Sequence, residues 1–442
     1  MRIHLKTLGC RLNEAELQHW ASAFQKAGHQ ITREQQLAEL IIINSCAVTQ
    51  DAAKKSRYLI RRMHRDNPLA KIVVSGCYAT LKQQEAEQLL GVDLVISNPH
   101  KDQLVQRVIS ALNMHTLPAR ATEPGENVLF GRGRQRAFIK VQDGCRYRCT
   151  FCIVTIARGA EQSRSVASII EEINTLHQQG IKEIILTGVH LGGYGSDINS
   201  HLAELLSCIL AHTDMPRIRL GSLEPWDLPV NFFELMQNPR MMPHLHLPLQ
   251  SGSDSVLRRM ARRCKTKDFA RIAATARDAI ADFNLTTDIM VGFPGETEQE
   301  WQESIDFINQ IGFGHIHIFS YSPREGTKAA SFPEPIDNTL KKQRSQQLHK
   351  LAQNMKEHTM TQNLGKQFPV LWEANNQPPR SGSQQYFGYT PNYLRVAVSV
   401  PEQSKLENNI SPVVLEAMNG DYLTAKRADN PGKICPQVQR IP

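Results

Sequence analysis

No stretch of this 442-residue chain is apolar for long enough to span a bilayer. The longest apolar runs, such as Leu40–Ile43 and Ile184–Leu186, hold only a few residues, whereas a spanning helix needs about 20. The first ten residues, MRIHLKTLGC, lack an apolar signal-like core and read directly into a strand. The expectation is a cytoplasmic protein with no membrane partner. Internal repeats and low-complexity tracts are absent, which excludes solenoids and fibrous folds. Cysteine is scarce and odd in number, at nine. That excludes a disulfide framework and favours metal or redox chemistry in a reducing compartment. The charge balance is not extreme. Lys plus Arg is 51 against 43 Asp plus Glu, a net of +8, a moderate bias toward an acidic partner such as nucleic acid. With 41% hydrophobic and 21% charged residues, the chain has globular composition and length for two or three domains.

Residues 1–112 alternate strand and helix signals: RIHLKTL (2–8), ELIIINS (39–45), KIVVSG (71–76) and VDLVIS (92–97) as strands, with helical periodicity over 14–28, 52–65 and 81–90. This order predicts a doubly wound parallel sheet. Cys10, Cys46 and Cys77 each follow one of the first three strands. The carboxyl ends of parallel strands share one edge, where ligands bind, so the three thiols are expected to converge as a metal site. Residues 113–136, with Pro118, Pro124, Gly125, Gly131 and Gly133, read as a linker. Its GRGRQR stretch (131–136) is either a phosphate contact or a solvated basic segment.

Six further strands, AFIKV (137–141), EIILTG (183–188), RIRLGS (217–222), HLHLPL (244–249), LTTDIMVG (285–292) and HIHIFSY (315–321), alternate with helices. They predict a partial or complete (β/α) barrel over 137–362, including a long exit helix near 337–365. Such barrels do their chemistry at the carboxyl ends of the strands. There stands VQDGCRYRCTFC (141–152), with Cys145, Cys149 and Cys152 spaced C-x3-C-x2-C. A structural zinc site needs four ligands, and no fourth cysteine or C-x2-C partner follows. Thiolates also suit iron–sulfur clusters, and a [4Fe–4S] cube on three cysteines leaves one iron open. Residues 363–429 read as a small all-β module and 430–442 as a tail. Cys208 sits in an apolar helix and reads as core; Cys264 and Cys435 fit no ligand set.

The spacing in its barrel context resembles radical S-adenosylmethionine (SAM) enzymes. The motifs TLGCRLNEAE (7–16), NSCAVTQDAAKKSR (44–57), VSGCYA (74–79), DGCRYRCTFCIVTIARG (143–159), LTGVHLGGYG (186–195), LGSLEP (220–225), LPLQSGSDSVLRRM (247–260), DIMVGFPGET (288–297) and FSYSPREGTKAA (319–330) resemble the methylthiotransferase family nearly end to end. The resemblance implies that Cys145, Cys149 and Cys152 hold a [4Fe–4S] cluster whose open iron binds SAM. It implies a second [4Fe–4S] cluster on Cys10, Cys46 and Cys77, which presents the sulfur. It also implies an adenosyl radical that removes hydrogen from the substrate carbon, and a separate methyl transfer. Gly188 and Gln250, at strand ends, are candidates for SAM contact. TLGCRLN, GVHLGGYG (188–195) and GYTPNYLRV (388–396) resemble the branch that acts on N6-threonylcarbamoyladenosine at position 37 in the transfer RNA anticodon stem-loop. Isopentenyladenosine, a ribosomal-protein aspartate and a non-catalytic iron–sulfur sensor are the alternatives. The β-rich end resembles a TRAM RNA-binding module. An electron-donor protein and a sulfur source are implied partners. Two basic groups offer RNA contacts: the helical stripe Lys54, Arg57, Arg61 and Arg65, and the set Arg258, Arg259, Arg262, Arg263, Lys265 and Lys267. Arg146 and Arg148, between the cluster cysteines, either face RNA or SAM or shield cluster charge.

Overall fold

In a computed structural model, the structure describes residues 1–114, 135–374 and 382–428. Most of the expected linker, with residues 131–134 of its basic stretch, lies outside the described residues, as do the tail and Cys435. Among the described residues no helix is long and apolar enough to cross a membrane.

The first domain runs β1 (Arg2–Thr7), α1 (Arg11–Lys26), β2 (Gln30–Thr32), β3 (Leu40–Ser45), α2 (Gln50–Asp66), β4 (Lys71–Gly76), α3 (Cys77–Leu81), α4 (Gln83–Glu87), β5 (Leu94–Ile96) and α5 (Leu104–Ala111). Its parallel sheet has the order β2-β1-β3-β4-β5. The all-apolar Leu40–Ile43 fills the centre, fully buried, as a strand covered on both faces must be. Two differences from expectation appear. The sheet has five strands, because the three-residue β2 is too short to show a period. The helix expected at 81–90 starts earlier, at Cys77 directly off β4, and breaks at Lys82, whose φ of −134° is not helical.

The central domain contains β6 (Arg136–Lys140), β7 (Gln142–Asp143), α6 (Val154–Arg158), β8 (Gln162–Ser163), α7 (Val166–Gln178), β9 (Glu183–Thr187), α8 (Leu202–His212), β10 (Arg217–Leu220), α9 (Phe232–Met236), β11 (His244–His246), α10 (Asp254–Arg259), α11 (Thr266–Ala279), β12 (Asn284–Val291), α12 (Glu298–Ile311), β13 (His315–Ser320) and α13 (Asn338–Thr361). The six expected barrel strands form two parallel triplets, β10-β9-β6 and β11-β12-β13. Between them run only isolated bridges, Ile218 with Met241 and Ser222 with His246. The barrel is therefore partial. Strand β11 is shorter than predicted because Pro243 and Pro248 flank it without N–H groups to donate. Alternate residues such as Ile139, Leu186, Leu245, Leu247, Ile289 and Ile316 pack outward with helix residues Leu205, Phe269 and Ile308 in one core. The other face of each strand turns to the lumen. Cys264 belongs to this core, whereas Cys208 is only half-buried, the reverse of expectation. Position 208 lies on the outer side of α8, and periodicity alone did not reveal which side that was.

The third unit has strands β14 (Gln367–Trp372), β15 (Ser383–Tyr389), β16 (Arg395–Pro401), β17 (Ile410–Asn419) and β18 (Tyr422–Arg427). They close into a barrel in the order β14-β15-β16-β18-β17 around Val370, Trp372, Val396, Val413 and Leu423. It docks on the amino-terminal floor of the central barrel. Tyr389 and Tyr393 stack there with centroids 5.0 Å apart. Arg136 lies 4.4 Å over Tyr389 and Arg219 4.4 Å over Tyr393. Beneath them Glu183, fully buried, pairs with Arg217 at 3.0 Å and Arg219 at 3.2 Å. Burial pushes the Glu183 pKa up, but the surrounding arginines outweigh it and hold it at about 2.

Helix α1 of the first domain lies against the lumen side of β6 and β9, where Ala15 packs with Phe138 and Ile185. A buried ionic network seals the junction. Arg158 donates to Glu16 (2.9 Å), Asp143 (2.9 Å) and Asn13 (2.7 Å). Lys101 reaches Glu16 at 2.5 Å and Asp143 at 2.8 Å, and Lys140 reaches Asp143 at 3.6 Å. Burial alone would raise the Glu16 pKa; Arg158, Lys101 and Lys140 outweigh it and lower it from 4.5 to about 2. Breaking one partner of a buried pair strands a charge, at about 3–5 kcal/mol. Arg158→Met is expected to destabilise the protein by about that much in urea unfolding at neutral pH. A group with a depressed folded pKa stabilises above its ordinary pKa and loses the effect as pH falls. The advantage of wild type over Glu16→Gln is therefore expected to be full above pH 4.5 and to fade toward pH 2.

Candidate active site

The parallel sheet brings the first cysteine trio together as its topology requires. Strands β1, β3 and β4 are neighbours. Cys10 caps the N-terminus of α1, Cys46 follows β3 and Cys77 opens α3. The chain turns sharply at Gly9 (φ +107°) and Gly76 (φ +95°). A side chain at Gly9 would sit 2.8 Å from Cys46 Sγ, and one at Gly76 would sit 2.3 Å from the Ser45 carbonyl oxygen. Glycine is required at both on two grounds, the left-handed backbone and the space. Cys10, Cys46 and Cys77 lie within mutual electrostatic reach. Cys46 and Cys77 are buried and Cys10 is open. Desolvation pushes the Cys46 thiol to about 11. Asn98 Nδ2 donates to Cys77 Sγ at 3.8 Å and to the Ala157 carbonyl of the central domain at 2.7 Å.

Cys145, Cys149 and Cys152 occupy the loop after β7, on the carboxyl side of the barrel. All three are half-buried. Desolvation is the largest influence on the Cys145 thiol and lifts it to about 12, with Cys152 and Cys149 adding to the rise. The Tyr147 N–H donates to Cys145 Sγ at 3.4 Å and Arg262 Nη1 to Cys149 Sγ at 4.0 Å. Arg262 also pairs with Glu224 at 2.7 Å and lies 4.3 Å over Trp226.

The spacing of both trios bears on what they fit. Around one tetrahedral ion with metal–sulfur bonds near 2.3 Å, ligand sulfurs sit roughly 3.8 Å apart. Among the described residues, neither trio brings its three sulfurs within 4.8 Å of one another. Neither trio therefore has the spacing of a single tetrahedral ion. The N–H donors on Cys77, Cys145 and Cys149 would stabilise the charge of metal-bound thiolates.

Two neighbours, Glu161 and Asp227, carry no sequence signal of their own. His190, fully buried after β9, lies between Glu161 (2.5 Å) and Asp227 (2.7 Å). Asp227 also accepts from the Tyr147 hydroxyl at 2.8 Å, and the Tyr147 and His190 rings are 4.7 Å apart. Burial lowers the His190 pKa, but the two carboxylates outweigh it and raise it. This chain of contacts braces the middle of the cysteine loop. Only spatial proximity links residues 147, 161, 190 and 227.

Gly188 follows β9, and a side chain there would meet Gln142 Oε1 at 2.9 Å; protein packing already demands glycine. Gln250, after β11, is more unusual. It is buried at φ +77°, a region that non-glycine residues seldom enter, and its Oε1 has no hydrogen-bond partner. Of the second basic group, Arg259 pairs with Glu300 and Arg262 is committed to the cysteine loop, while Arg258, Arg263, Lys265 and Lys267 are exposed. On the α2 stripe Lys54, Arg61 and Arg65 are exposed and Arg57 pairs with Glu85. Arg148 is exposed, and Arg146 leans to Glu161 at 3.5 Å.

Residues 2–97 match the family described as "Uncharacterized protein family UPF0004" and residues 139–308 match the radical SAM superfamily. The chain overlays a radical SAM methyltransferase, TsrM from Kitasatospora setae, with a TM-score of 0.56 at 15% identity, covering 74% of this chain and 75% of that one. That likeness is one of fold. Fold and loop together define a radical SAM protein. Threonylcarbamoyladenosine tRNA methylthiotransferase MtaB of Thermotoga maritima is 37% identical, covering 84% of this chain and 86% of the relative; its Bacillus subtilis counterpart is 34% identical over 88% of each. A tRNA-2-methylthio-N(6)-dimethylallyladenosine synthase of Staphylococcus haemolyticus is 31% identical, over 95% of this chain and 84% of that one. The chain belongs to the radical SAM methylthiotransferase family, in its MtaB branch.

In iron-free protein, the raised thiol pKa values predict slow alkylation. Only thiolate reacts, so its rate rises about tenfold per pH unit below the pKa. Iodoacetamide labelling followed by peptide mass spectrometry is expected to show Cys46 and Cys145 still accelerating at pH values where an ordinary thiol, with a pKa of about 8.5, has levelled off.

Proposed function

We propose that this enzyme inserts sulfur and a methyl group at carbon 2 of N6-threonylcarbamoyladenosine at position 37 of transfer RNA. The single observation that carries the reading is the pairing of two cysteine trios, each at the carboxyl edge of a parallel sheet, across one ion-sealed junction. The relatives of the same branch are named for this nucleoside, which favours it over the dimethylallyl form and over a protein aspartate.

In this reading Cys145, Cys149 and Cys152 hold one [4Fe–4S] cluster and Cys10, Cys46 and Cys77 the other, each with an iron left open. The bound cofactors supply reductive cleavage of SAM to a carbon radical, a transferable sulfur and the methyl group. The residues of the chain position and shield. Arg262 and the Tyr147 N–H offer donors to the first trio; Asn98 does so for the second. Arg158 lies within electrostatic reach of Cys10 and Cys77 and offsets thiolate charge there. His190, Glu161 and Asp227 hold Tyr147, and with it the loop. Gln250, with its left-handed backbone and free amide oxygen, is the favoured SAM contact; Gly188 serves the same approach through its packing on Gln142. The exposed set Arg258, Arg263, Lys265 and Lys267 and the α2 stripe offer phosphate contacts, and the closed β-barrel a TRAM-like RNA-binding surface. Each lost phosphate contact should lower the salt slope of RNA binding by about 0.7–0.9. The electron donor and sulfur source are separate partners.

Nucleosides from transfer RNA of the host, with and without the gene, test the substrate by mass spectrometry. The expected result is loss of 2-methylthio-N6-threonylcarbamoyladenosine and accumulation of its unthiolated precursor. Loss of the dimethylallyl product instead, or no change, would overturn the substrate. In vitro, Cys145→Ala is expected to abolish formation of 5′-deoxyadenosine from SAM. Cys10→Ala is expected to retain some cleavage and lose thiolated product; full product from that variant would remove the second cluster from its assigned ligands.

A further inference from the structure

The partial barrel carries a second constellation of ligand-type side chains, separate from both cysteine trios. On three adjacent strands, His246 of β11, Asp288 of β12 and His317 of β13 place one ligand atom each within 4.8 Å of the others. The register explains the convergence. Asp288 is paired directly with His317, and His246 lies one alternation away opposite Thr286. The outward neighbours Leu245, Leu247, Ile289 and Ile316 pack on the helices, so the three ligands share the lumen wall. His246 and Asp288 are half-buried and His317 is exposed, which leaves an entry path.

Hydrogen bonding holds the His246 ring in place. Its Nδ1 lies 2.9 Å from Thr286 Oγ1, and that hydroxyl is oriented to donate to the Leu245 carbonyl at 3.4 Å. The same hydroxyl also contacts His244 Nε2 at 3.0 Å, so its one proton can serve either ring or the carbonyl. His246 Nε2 faces Asp288 Oδ1 at 3.1 Å. In the tautomer that carries its proton on Nδ1, a cation can stand between Nε2 and the carboxylate. A histidine whose other nitrogen is fixed by an outer hydrogen bond is the usual form of a metal ligand. Two imidazoles and one carboxylate on one face, with remaining positions open, suit a divalent transition ion.

We infer that His246, Asp288 and His317 form a binding site for one divalent first-row transition ion on the lumen wall of the barrel. Arg11, the residue after Cys10, lies within electrostatic reach of His317. An anionic oxygen donor of a bound substrate would therefore meet a cation and an open coordination position together.

The test uses full-length, cluster-reconstituted protein dialysed against cobalt(II), with cobalt and iron then counted by mass spectrometry. The expected result is about one cobalt per chain, at least a tenfold loss of cobalt affinity in His246→Ala and in His317→Gln, and unchanged iron. Thr286→Val, which removes the hydroxyl that holds both His246 and the buried His244, should weaken cobalt affinity about 10–100-fold. X-ray absorption at the cobalt edge should show nitrogen and oxygen neighbours near 2.0–2.2 Å and no sulfur. His317 is exposed, so its replacement leaves the fold intact and keeps the test decisive. No retained cobalt, cobalt with sulfur neighbours, or equal cobalt in wild type and His317→Gln would overturn the site and leave a hydrogen-bonded His246–Asp288 pair. None of these outcomes depends on methylthiolation activity.

Discussion

The junction between the first two domains rests on five charged side chains taken out of water together. Glu16 and Lys101 come from one domain; Lys140, Asp143 and Arg158 come from the other. Each charge is costly alone, and the group is tolerable only as a set. Three cations face two carboxylates, with Asp102 reaching Lys140 from the surface at 3.0 Å. The buried part is thus biased positive beside Cys10 and Cys77, where metal-bound thiolates would place negative charge. Asn13 joins the two: it accepts from Arg158 and donates 2.7 Å to the Leu8 carbonyl in the turn that carries Cys10. The electrostatics of the seam and the shape of the cysteine turn are one structure.

A second charged layer, at the opposite end of the barrel, does different work. Glu183 sits under Arg217 and Arg219, and Tyr389 and Tyr393 of the closed β-barrel stack on Arg136 and Arg219. Burial outweighs the attraction of Glu183 for Arg217, whose pKa falls to about 10. The floor of the lumen is thereby filled with protein, and the open end is the carboxyl face where the cysteine loop stands.

What the sequence revealed depended on how local each signal was. The positions of Cys10, Cys46 and Cys77 were legible because each follows a strong strand signal, and parallel strands bring their ends to one edge. Cys145, Cys149 and Cys152 were legible as a spacing. The central strand LIIINS was legible because burial on both faces demands an unbroken apolar run. Strand β15 was not: SQQYFGY is polar, and its pairing with β16 decides its conformation. The ionic seam was also hidden. Arg158 and Glu16 are 142 residues apart, and a lone Glu on an amphipathic helix reads as a solvated charge. Arg262 shows the converse: it looked like one of six surface cations, and the fold spends it on Glu224 and the cysteine loop.

Helix α1 begins at the residue after Cys10 and presents Asn13, Ala15 and Glu16 to the neighbouring domain within its first two turns. At about 1.5 Å rise per residue, the thiol-bearing turn and the ionic seam are separated by a fixed length of rigid rod. Each added residue would also swing everything beyond it by about 100°. This short segment therefore tolerates substitution more readily than any change in length. A single insertion between Cys10 and Glu16 would leave the composition and the helix intact, and would still aim Glu16 away from Arg158 when the cysteine was in register.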